Sequence, residues 1–223
     1  MDLRLVTTLD GSHTIYVGGL NEHYHSTHGA IQEARHIFIN AGIRYLIDQG
    51  VSSINLLEIG FGTGLNTFLS RLETLKSSLR IHYTTIESDP LPEFFLASLN
   101  YPEILDDKAS QFFKLLHQAD WNIEQPLSES FTLLKINKKL QEQILPEARY
   151  NLVFFDAFGP EVQPELWNES IFRKIGKATR EGGVLVTYSA KGAVRRALKS
   201  SGFVIEKLPG PPGKREITRA VKT

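Results

Sequence analysis

The stretch INLLEIGFGTGLN, residues 54–66, decides the fold. Its apolar half, residues 54–59, predicts a buried β-strand. Three glycines that alternate with other residues follow this strand: Gly60, Gly62 and Gly64. Glycines there let the backbone turn sharply and approach a ligand, with the amides of the next helix facing it. The dinucleotide fingerprint G-x-G-x-x-G fails in both registers, because its last position is Leu65 or Thr67. The spacing therefore counts against a nicotinamide oxidoreductase.

Outward from this loop, strands and helices alternate along the chain. Predicted strands cover residues 54–59, 81–86, 131–136, 151–155, 184–188, 203–207 and 216–221. Helical patterns lie between most of them, with a short helix around 138–144 and a turn at Gly182-Gly183. Alternation of this kind is typical of an α/β fold, a mostly parallel seven-stranded Rossmann-like sheet with helices on both faces.

The first 50 residues have a different pattern. Two short strands, residues 3–9 and 13–17, flank the turn sequence Asp10-Gly11-Ser12, which predicts a β-hairpin. A helical pattern then runs from residue 30 to 48. We therefore expect residues 1–50 to form a hairpin and helix extension packed on a core of residues 51–223, as one compact domain.

Composition excludes several classes of protein. The chain has 223 residues, 41% of them hydrophobic and 22% charged, which is ordinary for a globular domain. It contains no cysteine, which removes disulfides, thiolate metal sites and cysteine nucleophiles. No apolar run approaches the ~20 residues of a membrane span, and the first residues do not resemble a signal peptide. We expect a cytoplasmic monomer with no membrane association.

The net charge of zero hides a strong asymmetry. Residues 171–223 carry 13 lysines and arginines against three glutamates, whereas residues 1–170 have a balance of −10. A basic segment beside an acidic body favours binding to a phosphate backbone. Lysines that merely solvate exposed helices would give the same count, so charge alone leaves both interpretations open.

Acidic residues stand at the ends of predicted strands. Glu87 ends the second strand of the α/β series, where a carboxylate can accept hydrogen bonds from two ribose hydroxyls. Together with Glu58 at the end of the first strand and the alternating glycines, it gives the chain a resemblance to class I S-adenosylmethionine-dependent methyltransferases.

A second motif, Asp156-Ala157-Phe158, follows the apolar strand 151–155. Ligand chemistry in open α/β sheets takes place at the carboxyl ends of strands. An amine must be neutral to attack a methyl group, and Asp156 could accept its proton or orient its lone pair, while Phe158 packs against a flat base. Asp156 could also simply cap the following turn.

At this point the resemblance becomes specific. The sequence is similar to the methyltransferase domain of bifunctional tRNA wobble-uridine enzymes of the MnmC type. The similar blocks span nearly the whole chain and are residues 29–38, 60–66, 156–160, 192–198 and 213–216. Trp167 and Phe172, in the predicted helix after the block 156–160, belong to the same resemblance. The resemblance implies methylation of a 5-aminomethyl group to 5-methylaminomethyl on a wobble (2-thio)uridine of tRNA. It also implies S-adenosylmethionine as methyl donor.

The resemblance further implies roles for individual residues. Those expected to contact the cofactor are Tyr24, Glu58, Gly60, Gly62, Gly64, Asn66, Glu87 and Asp156. Asp156 and Phe158 would face the substrate amine and base and form the catalytic pair. The basic residues expected to contact RNA are Arg195, Arg196, Lys199, Lys214 and Arg215. Lys135 stands where the family often places an acid for the adenine amino group, so that contact stays open.

Related members carry a following FAD-dependent oxidase domain. Because this sequence ends at Thr223, we expect a stand-alone form without FAD, served by a separate flavin oxidoreductase for the preceding step. His23, His25 and His28 do not have a standard zinc spacing, and we expect no metal. Two alternatives stay open: a methyltransferase of small amines, and a non-catalytic RNA-binding protein with a relict cofactor site.

Overall fold

The structure, a computed structural model, describes residues 2–223. An N-terminal three-stranded antiparallel sheet is formed by β1 (Leu3–Thr7), β2 (His13–Val17) and β3 (Glu22–His23). A helix follows in three parts, α1 (Ala30–Ala34), a π-helical stretch (Arg35–Arg44) and α2 (Tyr45–Asp48). The hairpin and the helix were both predicted from the sequence. The π-helical stretch was not.

The remaining chain alternates strands and helices. The strands are β4 (Ser53–Ile59), β5 (Arg80–Glu87), β6 (Glu124–Ser128), β7 (Phe131–Asn137), β8 (Tyr150–Phe155), β9 (Thr179–Thr187), β10 (Phe203–Pro209) and β11 (Glu216–Lys222). The helices are α3 (Leu65–Thr74), α4 (Glu93–Ala97), α5 (Tyr101–Leu105), α6 (Ser110–Gln118), α7 (Glu169–Ala178) and α8 (Gly192–Ser200).

These strands form one sheet with the order β10-β11-β9-β8-β4-β5-β7-β6. The five central strands are parallel, and β11, β10 and β6 are antiparallel to their neighbours. The predicted α/β fold class is confirmed, although the sheet has eight strands rather than seven. The additional edge strand β6 has the polar sequence EQPLS, which lacks the apolar alternation of a recognisable strand.

Two local predictions were wrong. Residues 138–144 form turns instead of a helix. Gly182 and Gly183 lie inside β9, where the register against β8 shifts, instead of forming a turn between elements. The register changes there from Tyr150 opposite Thr179 to Leu152 opposite Val184, and Gly182 has a positive φ of 72°, which glycine tolerates.

Helices cover both faces of the sheet. The N-terminal helix, α3 and α6 pack on one face, over a core that includes Phe38, Phe68 and Phe154. Helices α7 and α8 pack on the other face, over a core that includes Phe155 and Phe172. Among residues 2–223, no helix combines the length and apolar character needed to cross a membrane.

The chain order reverses at the centre of the sheet. β5 and β7 lie to one side of β4, and β8 and β9 lie to the other side. Ligands of open α/β sheets bind beyond the carboxyl ends of the strands at this kind of switch point. The glycine loop follows β4 and Asp156 follows β8, so both lie at this position.

Candidate active site

A cavity of about 1110 Å³ lies at the carboxyl ends of the central strands. Ligand pockets usually measure ~300–1000 Å³, so this one has room for a cofactor together with a base. Predicted site residues that line it are Tyr24, Gly60, Gly62, Asn66, Glu87, Asp156, Phe158 and Lys214. The fold therefore brings together residues from five separate segments of the sequence.

The glycine loop and Glu87 form one side of the cavity. Glu87 Oε2 accepts a hydrogen bond from the Gly62 amide at 3.2 Å, and Oε1 accepts one from the Asp89 amide at 2.9 Å. Gly60 and Gly62 have φ values of 91° and 51°, which favour glycine. A Cβ on Gly60 would lie 2.6 Å from the Asp156 carbonyl oxygen, so the glycine also allows the loop to approach β8.

Asp156 directly follows β8 and lies on the other side of the glycine loop from Glu87, because β4 stands between β8 and β5. Its Oδ2 accepts a hydrogen bond from Asn66 Nδ2 at 2.8 Å, and Asn66 stands in the first turn of α3. The pKa of Asp156 is raised to about 7, mainly by burial and also by the negative charge of Glu33, while the Asn66 hydrogen bond and the positive charge of Lys214 oppose the shift. The carboxyl group can therefore gain or lose a proton near neutral pH.

Glu33, Tyr188 and Lys214 surround Asp156 in a way that the sequence did not predict. Glu33 Oε2 accepts a hydrogen bond from the Ser26 amide at 2.8 Å, and Lys214 Nζ lies 3.3 Å from Glu33 Oε1. The same ammonium lies 4.9 Å from the centre of the Tyr188 ring. This side of the cavity accommodates a positive nitrogen between carboxylates and an aromatic ring. In the sequence, Glu33 was only one polar residue of an amphipathic helix.

Aromatic rings cover the cavity between its two sides. The rings of Tyr24 and Phe158 meet edge to face with their centroids 4.9 Å apart. A Cβ on Gly62 would lie 2.9 Å from the Tyr24 ring, so Tyr24 rests directly on the glycine loop. His25 is half-buried beside Thr63, and desolvation lowers the pKa of its imidazole to about 4, which keeps it neutral.

Three residues singled out in the sequence do not line the cavity. Glu58 is fully buried beneath it, and burial raises the pKa of this carboxyl to about 8. Gly64 begins α3 with φ 73° and packs against Leu116 and His117. Lys135 is buried, with its ammonium donating to the His117 carbonyl at 2.7 Å and facing the Trp121 ring. Their positions are structural, so we revise the prediction that Glu58 and Gly64 touch the cofactor.

The predicted RNA contacts also divide. Arg196, Lys199 and Arg215 are exposed. Arg195 is 9% exposed and binds within the protein: its guanidinium donates to Thr218 Oγ1 at 3.0 Å, to Glu216 Oε2 at 2.9 Å and to the Ile217 carbonyl at 3.2 Å. The prediction that Arg195 binds RNA was wrong, because its side chain joins α8 to β11.

Comparison with known proteins gives a consistent picture. Residues 103–223 match a family described as S-adenosyl-L-methionine-dependent methyltransferase. The tRNA 5-methylaminomethyl-2-thiouridine biosynthesis bifunctional protein MnmC of Aromatoleum aromaticum is 32% identical over 97% of this chain and 35% of its own length. The protein of the same name from Ralstonia nicotianae is 29% identical over 88% of this chain and 31% of its own length. The chain thus spans about a third of these relatives.

Solved structures agree on the fold. MnmC2 from Aquifex aeolicus has a TM-score of 0.82 and 26% identity, covering 99% of this chain and 70% of that chain. Spermidine synthase from Thermotoga maritima has a TM-score of 0.57 and 14% identity, covering 99% of this chain and 69% of that chain, and shows a likeness of fold alone. With its family match extending over more than half of its residues, the chain belongs to the S-adenosyl-L-methionine-dependent methyltransferase family.

Proposed function

We propose that the protein methylates the 5-aminomethyl group of a wobble (2-thio)uridine in tRNA, forming 5-methylaminomethyl. The observation that carries this proposal is the position of Asp156, which shares one cavity with the glycine loop and Glu87. The names of the relatives, which refer to 5-methylaminomethyl-2-thiouridine biosynthesis in tRNA, supply the substrate.

The cavity fits S-adenosylmethionine by its shape and donor set. Gly60 and Gly62 present backbone to the cavity, and Glu87 offers carboxylate oxygens to ribose hydroxyls. Residues 138–141, which follow β7, line the same side and would meet the adenine, in place of the buried Lys135. When bound, the cofactor supplies a sulfonium methyl group that an amine nitrogen can attack.

Asp156 would prepare the amine. In its ionised form the carboxylate accepts a hydrogen bond from the aminomethyl nitrogen and takes the proton that blocks the lone pair. Asn66 fixes the orientation of the carboxylate through its bond to Oδ2, which leaves Oδ1 for the substrate. Glu33 adds negative charge on the same side, and this charge raises the affinity of Asp156 for the proton that it takes from the amine.

Phe158 and Tyr24 would hold the flat base. Their edge-to-face contact closes the cavity above the glycine loop. A base stacked there places its 5-substituent between the cofactor side and Asp156, and positioning of this kind can supply much of the rate acceleration. The cytoplasmic location, the monomeric state and a separate flavin enzyme for the preceding step stay predictions.

Nucleoside mass spectrometry tests the proposal. tRNA that carries 5-aminomethyl-2-thiouridine is incubated with the protein and isotope-labelled S-adenosylmethionine. We expect a gain of one labelled methyl on that nucleoside, absent with the Asp156→Ala variant. No gain, with the cofactor still binding in calorimetry, would discard the wobble-uridine substrate and direct the search to small amines. A gain that persists in Asp156→Ala would discard the role of Asp156.

A further inference from the structure

A second groove, of about 690 Å³, opens beside the cavity. Four residues line both spaces: Glu22, Gly159, Tyr188 and Lys214. The groove therefore adjoins the cavity on the side of Tyr188 and Lys214. S-adenosylmethionine carries no phosphate, so a phosphate site in this groove would serve the substrate and not the cofactor.

Helix α8 begins at the wall of this groove. It has nine residues and starts at Gly192, after Lys191, which lines the groove together with Ala190. No side chain among the described residues caps its first turn. The first amides of a helix lack acceptors within the helix, and the positive end of the helix dipole favours an anion there.

Ser189 provides an independent sign of a missing ligand. It lines the groove and is 4% exposed. Its amide donates to Thr187 Oγ1 at 3.3 Å and its carbonyl accepts from Thr218 Oγ1 at 2.7 Å, so both of its backbone polar groups have partners. That Oγ has no hydrogen-bond partner within residues 2–223. Buried hydroxyls without a partner are uncommon in folded proteins.

The charged side chains that line the groove carry a net positive charge. Lys207 from β10 and Arg215 from the loop before β11 both line it, and neither forms an ion pair with another described residue. Two of the three acids in the lining already have partners: Glu161 contacts Lys191, and Glu216 lies 2.9 Å from the guanidinium of Arg195.

We propose that this groove binds a phosphodiester group next to the target nucleotide of the RNA. The phosphate would accept hydrogen bonds from Ser189 Oγ and from the first amides of α8, with Lys207 and Arg215 supplying charge. The inference rests on the proposed function and adds a location for one backbone phosphate. It also gives two residues of the basic segment, Lys207 and Arg215, a role in RNA binding, whereas Arg195 of the same segment is buried.

The test is a double-mutant cycle that combines a change in the RNA backbone with a change in the protein. An anticodon stem-loop with 5-aminomethyl-2-thiouridine is made in three forms. One has a natural backbone, and each of the other two has a neutral methylphosphonate in place of one of the two phosphates that flank the modified nucleotide. Binding of each form is measured for the wild type and for Lys207→Ala/Arg215→Ala. In the wild type, one replacement should weaken binding about tenfold, the size expected for a charged hydrogen bond. In the double variant the same replacement should cost less than about twofold. Equal losses in both proteins, or no loss in the wild type, would overturn the proposal.

Ser189→Ala separates binding from folding. Because this hydroxyl lacks a partner in the protein, its removal should leave the melting temperature unchanged or higher, while stem-loop binding weakens several-fold. A lower melting temperature with unchanged binding would give Ser189 a structural role and contradict the site. Lys114→Ala, on the exposed face of α6, is the matched control and should bind all three RNAs like the wild type.

The two proposals fail in different ways. A wild type that methylates the stem-loop but shows no coupling in the cycle removes the phosphate site and leaves the proposed function intact. A wild type that neither binds nor methylates the stem-loop removes both.

Discussion

The two carboxylates that face the cavity, Glu87 and Asp156, differ in how the protein holds them. Both oxygens of Glu87 accept backbone amide hydrogen bonds, from Gly62 and Asp89. Asp156 has one described donor, Asn66, on Oδ2. Burial raises the pKa of both groups, and a neighbouring acid adds to the shift in each, Asp89 at Glu87 and Glu33 at Asp156. The opposing hydrogen bonds come from backbone amides at Glu87 and from the Asn66 side chain at Asp156, where Lys214 also opposes the shift.

This difference suggests a division of labour. A carboxylate fixed on both oxygens by the backbone is a rigid acceptor, suited to ribose hydroxyls. A carboxyl group with a free oxygen and a pKa of about 7 is suited to proton exchange with an amine. We propose that Glu87 serves cofactor binding and Asp156 serves chemistry. Variants of the two residues should therefore affect different steps.

The largest effect is expected from Asp156→Asn. The amide cannot take a proton, so kcat for methyl transfer should fall by about 10²–10⁴-fold, while the S-adenosylmethionine Kd changes little. Asp48→Asn, at an exposed helix end, is the matched control and should keep the wild-type kcat. Steady-state kinetics and calorimetry measure the two quantities. A large loss of cofactor affinity would instead assign Asp156 to cofactor binding, the second role that the sequence predicted for it.

Glu87→Ala should show the reverse pattern. Loss of hydrogen bonds from a charged acceptor to the ribose should weaken cofactor binding by about 10–100-fold, with kcat at saturating cofactor close to that of the wild type. Glu93→Ala, an exposed glutamate of α4, controls for loss of surface charge. If saturating cofactor does not restore kcat, the proposed separation of the two carboxylates is wrong.

A smaller effect concerns stability. An unfolded aspartate ionises near pH ~4, whereas folded Asp156 has a pKa of about 7 and Glu58 one of about 8. Between these values the folded state holds protons that the unfolded state has lost, so the free energy of unfolding should fall as pH rises from about 5 to about 8. Asp156→Asn should reduce this fall by on the order of 1–2 kcal/mol in denaturant titrations. An identical fall in the variant would mean that Asp156 does not titrate in this range.

The cofactor side of the site could be predicted from sequence because its signals are local. The glycine loop directly follows a buried strand, and Glu87 ends the next one, so strand order alone brings them together. The same rule makes Asp156, which follows β8, a candidate site residue. The eighth strand of the sheet, β6, was not predicted because it is a polar edge strand, and edge strands need no apolar alternation.

The amine side could not be fully predicted because it depends on packing between distant segments. Glu33 reaches the cavity from the N-terminal helix, and Lys214 reaches it from a loop near the end of the chain. Arg195 and Arg196 are neighbours of the same type, yet Arg195 is buried against Thr218 and Arg196 is exposed. This difference in exposure comes from the packing of α8 against β11, which the sequence does not reveal.

The pH dependence of kcat/KM, compared between the wild type and Asn66→Ala, tests the role of Asp156 most directly. In the wild type, kcat/KM should rise through a midpoint near the pKa of about 7. Asn66 stabilises the ionised carboxylate, so its removal should move that midpoint to higher pH. Ionisation of the free substrate amine is the same for both proteins and cannot produce a difference. A midpoint that does not move, or a wild-type profile without a midpoint near neutrality, would contradict proton exchange at Asp156.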